Sequence, residues 1–302
     1  MHAIRIDRDK PLAAEPHSGH NRYHPDIAPV VEIGEGEEIA LETRDALDGQ
    51  IKPGMVAADL ASLDAGAVHP LTGPVFVKGA MPGDILEIEF TDIIAQPTAF
   101  SAIVPGLGFL RDVMTEPSLV HWRIADSWAT SAQIPGVRIP GAPFMGVSAV
   151  APSVEKLAEW TARERRVIDK GGFALPPDPA GAVPTGPCGL AGLRTLPPRE
   201  NGGNFDVKQL TKGAKLFLPV FKEGGPFSIG DGHFAQGDAK SASPRSRWAL
   251  PRWCGSGCTR VWRSGANLVP RCFRGRAISP TRASPRPRAL PRSHGHADQR
   301  RR

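Results

Sequence analysis

Apolar and polar positions alternate in short runs along the first hundred residues, with glycine and proline between the runs. "VVEI" (30–33) is separated by "GEGE" from "EIALETRDA" (38–46), and "PVFVKG" (74–79) by "AMPGD" from "ILEIEFTDIIA" (85–95). Such runs, rich in Val, Ile and Phe, predict strands, each pair joined by a tight connection. Pro82-Gly83 suits the second turn, because proline presets φ and glycine accepts positive φ. A different period begins at Ser153. Leu157, Trp160, Thr161, Val167 and Ile168 fall on one side at helical spacing and Glu, Arg and Lys fill the other, which predicts an amphipathic packing helix over about 153–170. Pro152 precedes it, Ser153 is its N-cap and Gly171-Gly172 stop it. Residues 173–203 hold many prolines and glycines without periodicity and predict a long loop, either functional or poorly ordered. Strand character returns in "KLFLPVF" (215–221) and "PFSIGDGH" (226–233), with Pro219 suited to an edge or a bulge. The pattern therefore predicts a mainly β body with a few helices.

Composition divides the chain. The whole carries a formal charge of +6, but the last 62 residues hold 15 Arg, no Lys and one acid, Asp298. The first 240 residues thus have 22 basic side chains against 30 acids, a formal −8. The alkaline overall balance belongs to the tail and is no sign of a general affinity for nucleic acid or membrane. The body keeps one cysteine, Cys188, so it forms no internal disulfide, and a reducing, cytoplasmic setting is expected. No run approaches the roughly 18 apolar residues of a membrane span, and the charged N-terminus is unlike a signal peptide.

Four stretches concentrate reactive side chains: "HNRYHPD" (20–26), "VHPLTGP" (68–74), "NGGNFD" (201–206) and "GDGHFAQGD" (230–238). Asp231 and His233, two apart, point the same way on an extended segment, which allows two ligands on one metal or a carboxylate orienting an imidazole. With "IPGVRIPGAPFMGV" (134–147), these stretches in this order resemble the acetamidase/formamidase family over nearly all of residues 1–238. Tyr23 departs from the family's usual Trp. The resemblance implies a β-sandwich- or barrel-like fold, a homo-oligomer, and hydrolysis of formamide, acetamide or another short carboxamide to carboxylate and ammonia. It locates the site in these segments. Within it we assign His69, Asp231 and His233 to a divalent metal, zinc, and Asp206 to acid/base or ligand duty. His20, Asn21 and Asn204 join the catalytic set by lining or bracing it, and Gly202, Gly203 and Gln236 bind substrate. His20 and Asn21 could equally fix the N-terminal segment, and the two glycines could serve an unusual backbone or an oxyanion hole. Cys188 has no activating base nearby in sequence and reads as a loop thiol.

After Asp238 the chain departs from the family, whose motif continues with Gly-Glu and an apolar stretch. With suitable synonymous codons, one G restored before the codon for Ala239 makes residues 239–260 read "GEVCVTAIEMGATAVVRFRLHK", a Gly-Glu followed by an alternating strand. Residues 239–302 are therefore expected to be an out-of-frame, irregular Arg/Pro-rich tail, and activity to be impaired or absent. Nucleic-acid binding through that tail is the remaining alternative. Its Arg-Pro-Ser bias without lysine, and a Cys254-x3-Cys258 pair lacking a second ligand pair, argue against it.

Overall fold

The structure, a computed structural model, describes residues 2–108 and 111–237, together with the backbone of 244–245 and 254–262. The described residues all fall within one compact unit, and 266–302 lie outside the described residues. The body is built on β-sheet, as the periodicity predicts, with one long helix.

Two sheets pack face to face. One has the strand order Gly202–Asn204, Phe144–Val150, Phe227–His233, Leu71–Val77, Gly19–His20, with Val31–Ile33 added in parallel to Leu71–Val77. The other runs His2–Ile4, Ile39–Leu41, Cys254–Trp262, Ile85–Ile93, Lys215–Pro219. The main core lies between them, with Val75, Val77, Met145 and Ile229 from the first sheet against Leu41, Leu86, Ile88 and Phe90 from the second. A third sheet, which includes Thr98–Ile103, Ser118–Ala125, Trp128–Thr130 and Arg138–Pro140, carries its own small core around Trp122 and Phe234. Every residue of Phe144–Val150 and Phe227–His233 is buried, because these neighbouring strands are covered on both faces. Polar residues there have been withdrawn from water into the middle of the protein.

Both predicted strand pairs exist, but their members do not pair with each other. Val31–Ile33 and Leu71–Val77 lie in the first sheet, Ile39–Leu41 and Ile85–Ile93 in the second, so each short connection carries the chain across the sandwich. Local sequence cannot distinguish the two outcomes, since both need a turn between apolar runs. Gly83 takes the expected positive φ, 96°, in the second connection. Pro219 lies on an edge strand, where no outer ladder needs its missing N–H.

The helix spans Val154–Asp169, and Ser153 accepts a hydrogen bond from Lys156 N–H at its start. Its buried stripe is Leu157, Trp160 and Glu164, whereas Val167 and Ile168 are exposed. The apolar face thus ends a turn earlier than the spacing predicts, because Glu164 takes the next inward position to meet buried Arg199. The predicted loop over 173–203 is mostly irregular but holds a short helix, Pro187–Ala191, and the strand Leu193–Arg194.

The expectation of an irregular tail needs a correction at two places. Pro244–Arg245 and Cys254–Trp262 are strands, and the second pairs on one side with Ile39–Leu41 and on the other with Ile85–Ile93. Ladder pairing uses only backbone N–H and C=O groups, and the two flanking strands present unpaired edges that a returning chain satisfies whatever its side chains. The rest of the tail lies outside the described residues. Among the described residues no helix is long and apolar enough to cross a membrane.

Candidate metal centre

The strand Phe227–His233 brings Asp231 and His233 into the interior at 0% exposure. Asp206 arrives from the loop beyond Gly202–Asn204. One donor atom from each of Asp206, Asp231 and His233 lies within 4.8 Å of the others. His233 Nε2 is 3.0 Å from Asp206 Oδ1 and 3.5 Å from Asp231 Oδ2, yet neither ring nitrogen of His233 has a hydrogen-bond partner of good geometry. His69, also fully buried, stands against the Asp231 side with Nδ1 3.7 Å from Asp231 Oδ2. Burial pulls the His233 imidazole down and the carboxylates of Asp231 and Asp206 pull it up, and the net displacement is upward.

Local backbone holds this arrangement. Asp206 and Asp231 both have φ of 50°, the left-handed region. Among non-glycine residues Asp and Asn tolerate it best, and two such residues meeting at one buried point is a departure from regular geometry of the kind that gathers at functional sites. It also means that Asp231 and His233 converge through a break in the regular strand, and the extended i, i+2 geometry of the sequence argument is only part of the account. His69 is held through its backbone, because the Thr195 hydroxyl accepts from His69 N–H and donates to His69 C=O, each at 2.9 Å. Phe144 stacks on the His233 ring at 4.6 Å between centroids. Gly146 leaves the space that ring occupies, since a Cβ there would lie 2.6 Å from His233 Nε2, and its carbonyl accepts from Asp206 N–H at 3.1 Å.

Of the residues singled out in the sequence, His69, Asp206, Asp231 and His233 meet here. Gln236 joins them, its Nε2–H donating to the Asp206 carbonyl at 2.8 Å, and Asn204 lies two residues before Asp206. His20 and Asn21 are engaged elsewhere. The Asn21 side chain donates to Gly181 C=O and accepts from Val183 N–H, both at 2.7 Å, tying the long loop to the N-terminal segment. Gly202 uses its N–H on the Arg199 carbonyl at 3.0 Å, so it is not an open oxyanion donor. Gly202 and Gly203 have φ of 100° and 118°, and a Cβ on Gly202 would sit 2.4 Å from Ser148 O. Burial pushes the Cys188 thiol up, away from the reactive thiolate. Phe144, Gly146 and Thr195 escaped the sequence reading. The first two stand in the quoted "PFMGV", but nothing local reveals that His233 packs there, and Thr195 carries no signal at all.

His20 is 3% exposed. Its Nδ1–H donates to the Arg22 carbonyl at 2.6 Å, which leaves Nε2 to accept from the Ser228 hydroxyl at 2.7 Å, a neutral tautomer locked at both ends. Burial depresses its pKa to about 4. Between that value and the unfolded value near 6.5 the unfolded chain binds the extra proton, so stability rises with pH across this window and falls on acidification. Urea denaturation at pH 7.5 and 4.5 is expected to show a loss on the order of 2–3 kcal/mol from this group. His20→Gln should remove that part of the pH dependence. An unchanged slope in the variant would mean that other groups carry it.

The profile of the Acetamidase/Formamidase family matches residues 5–243. An acetamidase of Mycolicibacterium smegmatis is 36% identical over 260 residues, covering 78% of this chain and 64% of that protein. A formamidase of Methylophilus methylotrophus is 34% identical over 255 residues, covering 78% and 63%. This chain therefore spans just under two thirds of the length of these relatives. Among solved structures, a gamma lactamase from Delftia acidovorans superposes with a TM-score of 0.78 at 33% identity, over 86% of this chain and 68% of that one. An acetamidase from Bacillus halodurans, at 24% identity and a TM-score of 0.60 over 81% and 68%, shares the fold. On the strength of the match over residues 5–243 and of these relatives, the chain belongs to the acetamidase/formamidase family.

Proposed function

We propose that the protein hydrolyses a small aliphatic carboxamide to carboxylate and ammonia, using a divalent metal held by Asp206, Asp231 and His233 with His69 beside them. The observation that carries this is the convergence of two carboxylates and an imidazole, two of the three fully buried. Ordinary packing gives no return for such a cluster, because buried charges are costly unless paired or bound to a metal. The donor set fits a divalent ion such as zinc, and the His233 nitrogens, without directed hydrogen bonds, are free to ligate. Lewis-acid polarisation of the carbonyl and acidification of a water are the chemistry that such an ion supplies.

The chain's own residues do the rest. The reaction adds water across the C–N bond, so a proton must leave the attacking water and another must reach the departing nitrogen. Asp206 is placed for that transfer, being the one member of the cluster with an exposed side-chain fraction, 18%. Asp231 and His69 form its closed rear wall, and Gly146 and Phe144 hold the His233 ring in place. The names of the relatives, acetamidase and formamidase, support a short acyl group.

Ammonia release from formamide and acetamide tests the reading, with metal content measured on the same sample. Expected are turnover, about one divalent ion per chain, and loss of activity on chelation that the ion restores. Turnover by protein free of any divalent metal would sink the metal assignment.

A second reading takes the tail as an out-of-frame stretch, a reading compatible with the family match ending at residue 243. Resequencing the gene over the codons for 230–262 tests it, since a further G before codon 239 would show that the tail is not the natural continuation.

A further inference from the structure

Arg22 is buried at 0% exposure, outside the cluster that holds the chemistry. Its guanidinium gathers backbone carbonyls from three separate segments: Asn21 at 2.9 Å, Gly66 at 3.1 Å, and Asp178 and Ala180 at 2.7 and 2.8 Å. Burial pulls its pKa down to about 10, so it stays charged at neutral pH. A charge held there is costly, and what it holds together surrounds the chain leading into His69. Gly66 stands three residues before His69 and packs so closely on the 178–180 segment that a Cβ would lie 2.4 Å from the Ala180 carbonyl oxygen. On the other side, the strand Arg22–Tyr23 pairs with Leu193–Arg194, with Arg194 opposite Arg22, and so fixes the chain that delivers Thr195. The Thr195 hydroxyl, also at 0% exposure, grips one residue on both sides, accepting from His69 N–H and donating to His69 C=O. No water can take over those two bonds at such depth.

We propose that the Thr195 hydroxyl, anchored through Arg22, is the positioning group that sets the His69 imidazole against Asp231. The 3.7 Å approach of His69 Nδ1 to Asp231 Oδ2 depends on where the His69 backbone lies, and Thr195 clamps that backbone at its N–H and its C=O. Without the hydroxyl both groups lose these bonds in a buried place, and the backbone must shift to find others. A shift of about 1 Å at a reacting centre can cost about a hundredfold in rate. Thr195 thus acts through His69 and not on the substrate. The proposal rests on the reading of the cluster as a metal-dependent carboxamide hydrolase, and adds the residues that hold its geometry. It also gives Arg22, in the "HNRYHPD" stretch, a role behind the site.

The test is a double-mutant cycle on the full chain, read by zinc affinity in chelator competition and by kcat/KM for acetamide. Thr195→Val keeps the side-chain shape and removes the hydroxyl, and Thr195→Ser keeps the hydroxyl. Thr195→Val should weaken zinc binding and lower kcat/KM, each by about ten- to a hundredfold, the scale for a residue that braces a metal site from behind. Thr195→Ser should restore both. In a His69→Asn background Thr195→Val should cost less than about twofold more, because the loss it causes runs through His69. Arg22→Lys, whose single ammonium cannot reach carbonyls on all three segments, should show the same dependence on His69. Equal losses in both backgrounds would mark a general structural role, and a Thr195→Ser as damaging as Thr195→Val would mark packing of the methyl. Either overturns the proposal, as does a Thr195→Val without effect. Thr195→Ala serves if Thr195→Val does not fold, and the Thr195 series decides if Arg22→Lys does not. Coupling seen in zinc affinity without ammonia release would uphold the positioning and sink the hydrolase reading. Ammonia release without coupling would do the reverse, and neither zinc binding nor turnover in the unmodified protein would overturn both.

Discussion

Asp231→Asn is expected to lower kcat/KM for acetamide and formamide on the order of a thousandfold, with metal content falling in step. The substitution keeps the side-chain volume and the backbone preference, since Asn tolerates the left-handed φ of 50° as well as Asp does. What it removes is the negative charge that faces both imidazoles, 3.7 Å from His69 Nδ1 and 3.5 Å from His233 Nε2. At 0% exposure no water can replace that charge. Ammonia-release kinetics and elemental analysis of the variant check this together. A variant that kept a tenth of the activity and its full metal would remove Asp231 from the centre.

Glu164→Ala should cost about 3–5 kcal/mol of folding stability, the range for stripping one partner from a buried ion pair. Arg199 meets Glu164 through two bonds, Nε to Oε1 at 2.5 Å and Nη2 to Oε2 at 3.0 Å, with its side chain only 1% exposed. Without the carboxylate the guanidinium stays buried and uncompensated. Arg199 also exchanges backbone hydrogen bonds with Gly202, at the start of the strand that leads to Asn204 and Asp206. Denaturant unfolding should therefore show the loss, and the damage should reach the site as well. If the midpoint moved by less than about 1 kcal/mol, the pair would be shown to contribute no more than a surface ion pair does.

The elements most legible in the sequence are those with a strong local cause. Ser153 capped a helix that runs where its period predicted, because capping and amphipathicity act within a few residues. Edge placement of Pro219 followed from its missing N–H. Asp231 and His233 were legible as a pair because they are two residues apart. Less legible was anything decided across the sandwich. The Val31–Ile33 and Ile39–Leu41 strands looked like neighbours and joined different sheets, since apolar runs with a turn between them suit either arrangement. His20 read equally as lining or bracing the site and as fixing the N-terminal segment, and its tautomer is set by the Arg22 carbonyl two residues away while its Nε2 is occupied by the hydroxyl of Ser228, 208 residues away.

By itself, then, the sequence determined the mainly β character, the capped helix and the division between an acidic body and an arginine-rich tail, because propensity, periodicity and charge are properties of neighbouring residues, and it singled out the polar segments from which the candidate site is drawn. Tertiary structure decided which of those segments meet. It brought Asp206 to Asp231 and His233, put His69, braced by Thr195, against Asp231, and opened the space for the His233 ring at Gly146. Those relations depend on distances between positions far apart in the chain, which only the packing of one sheet on another sets.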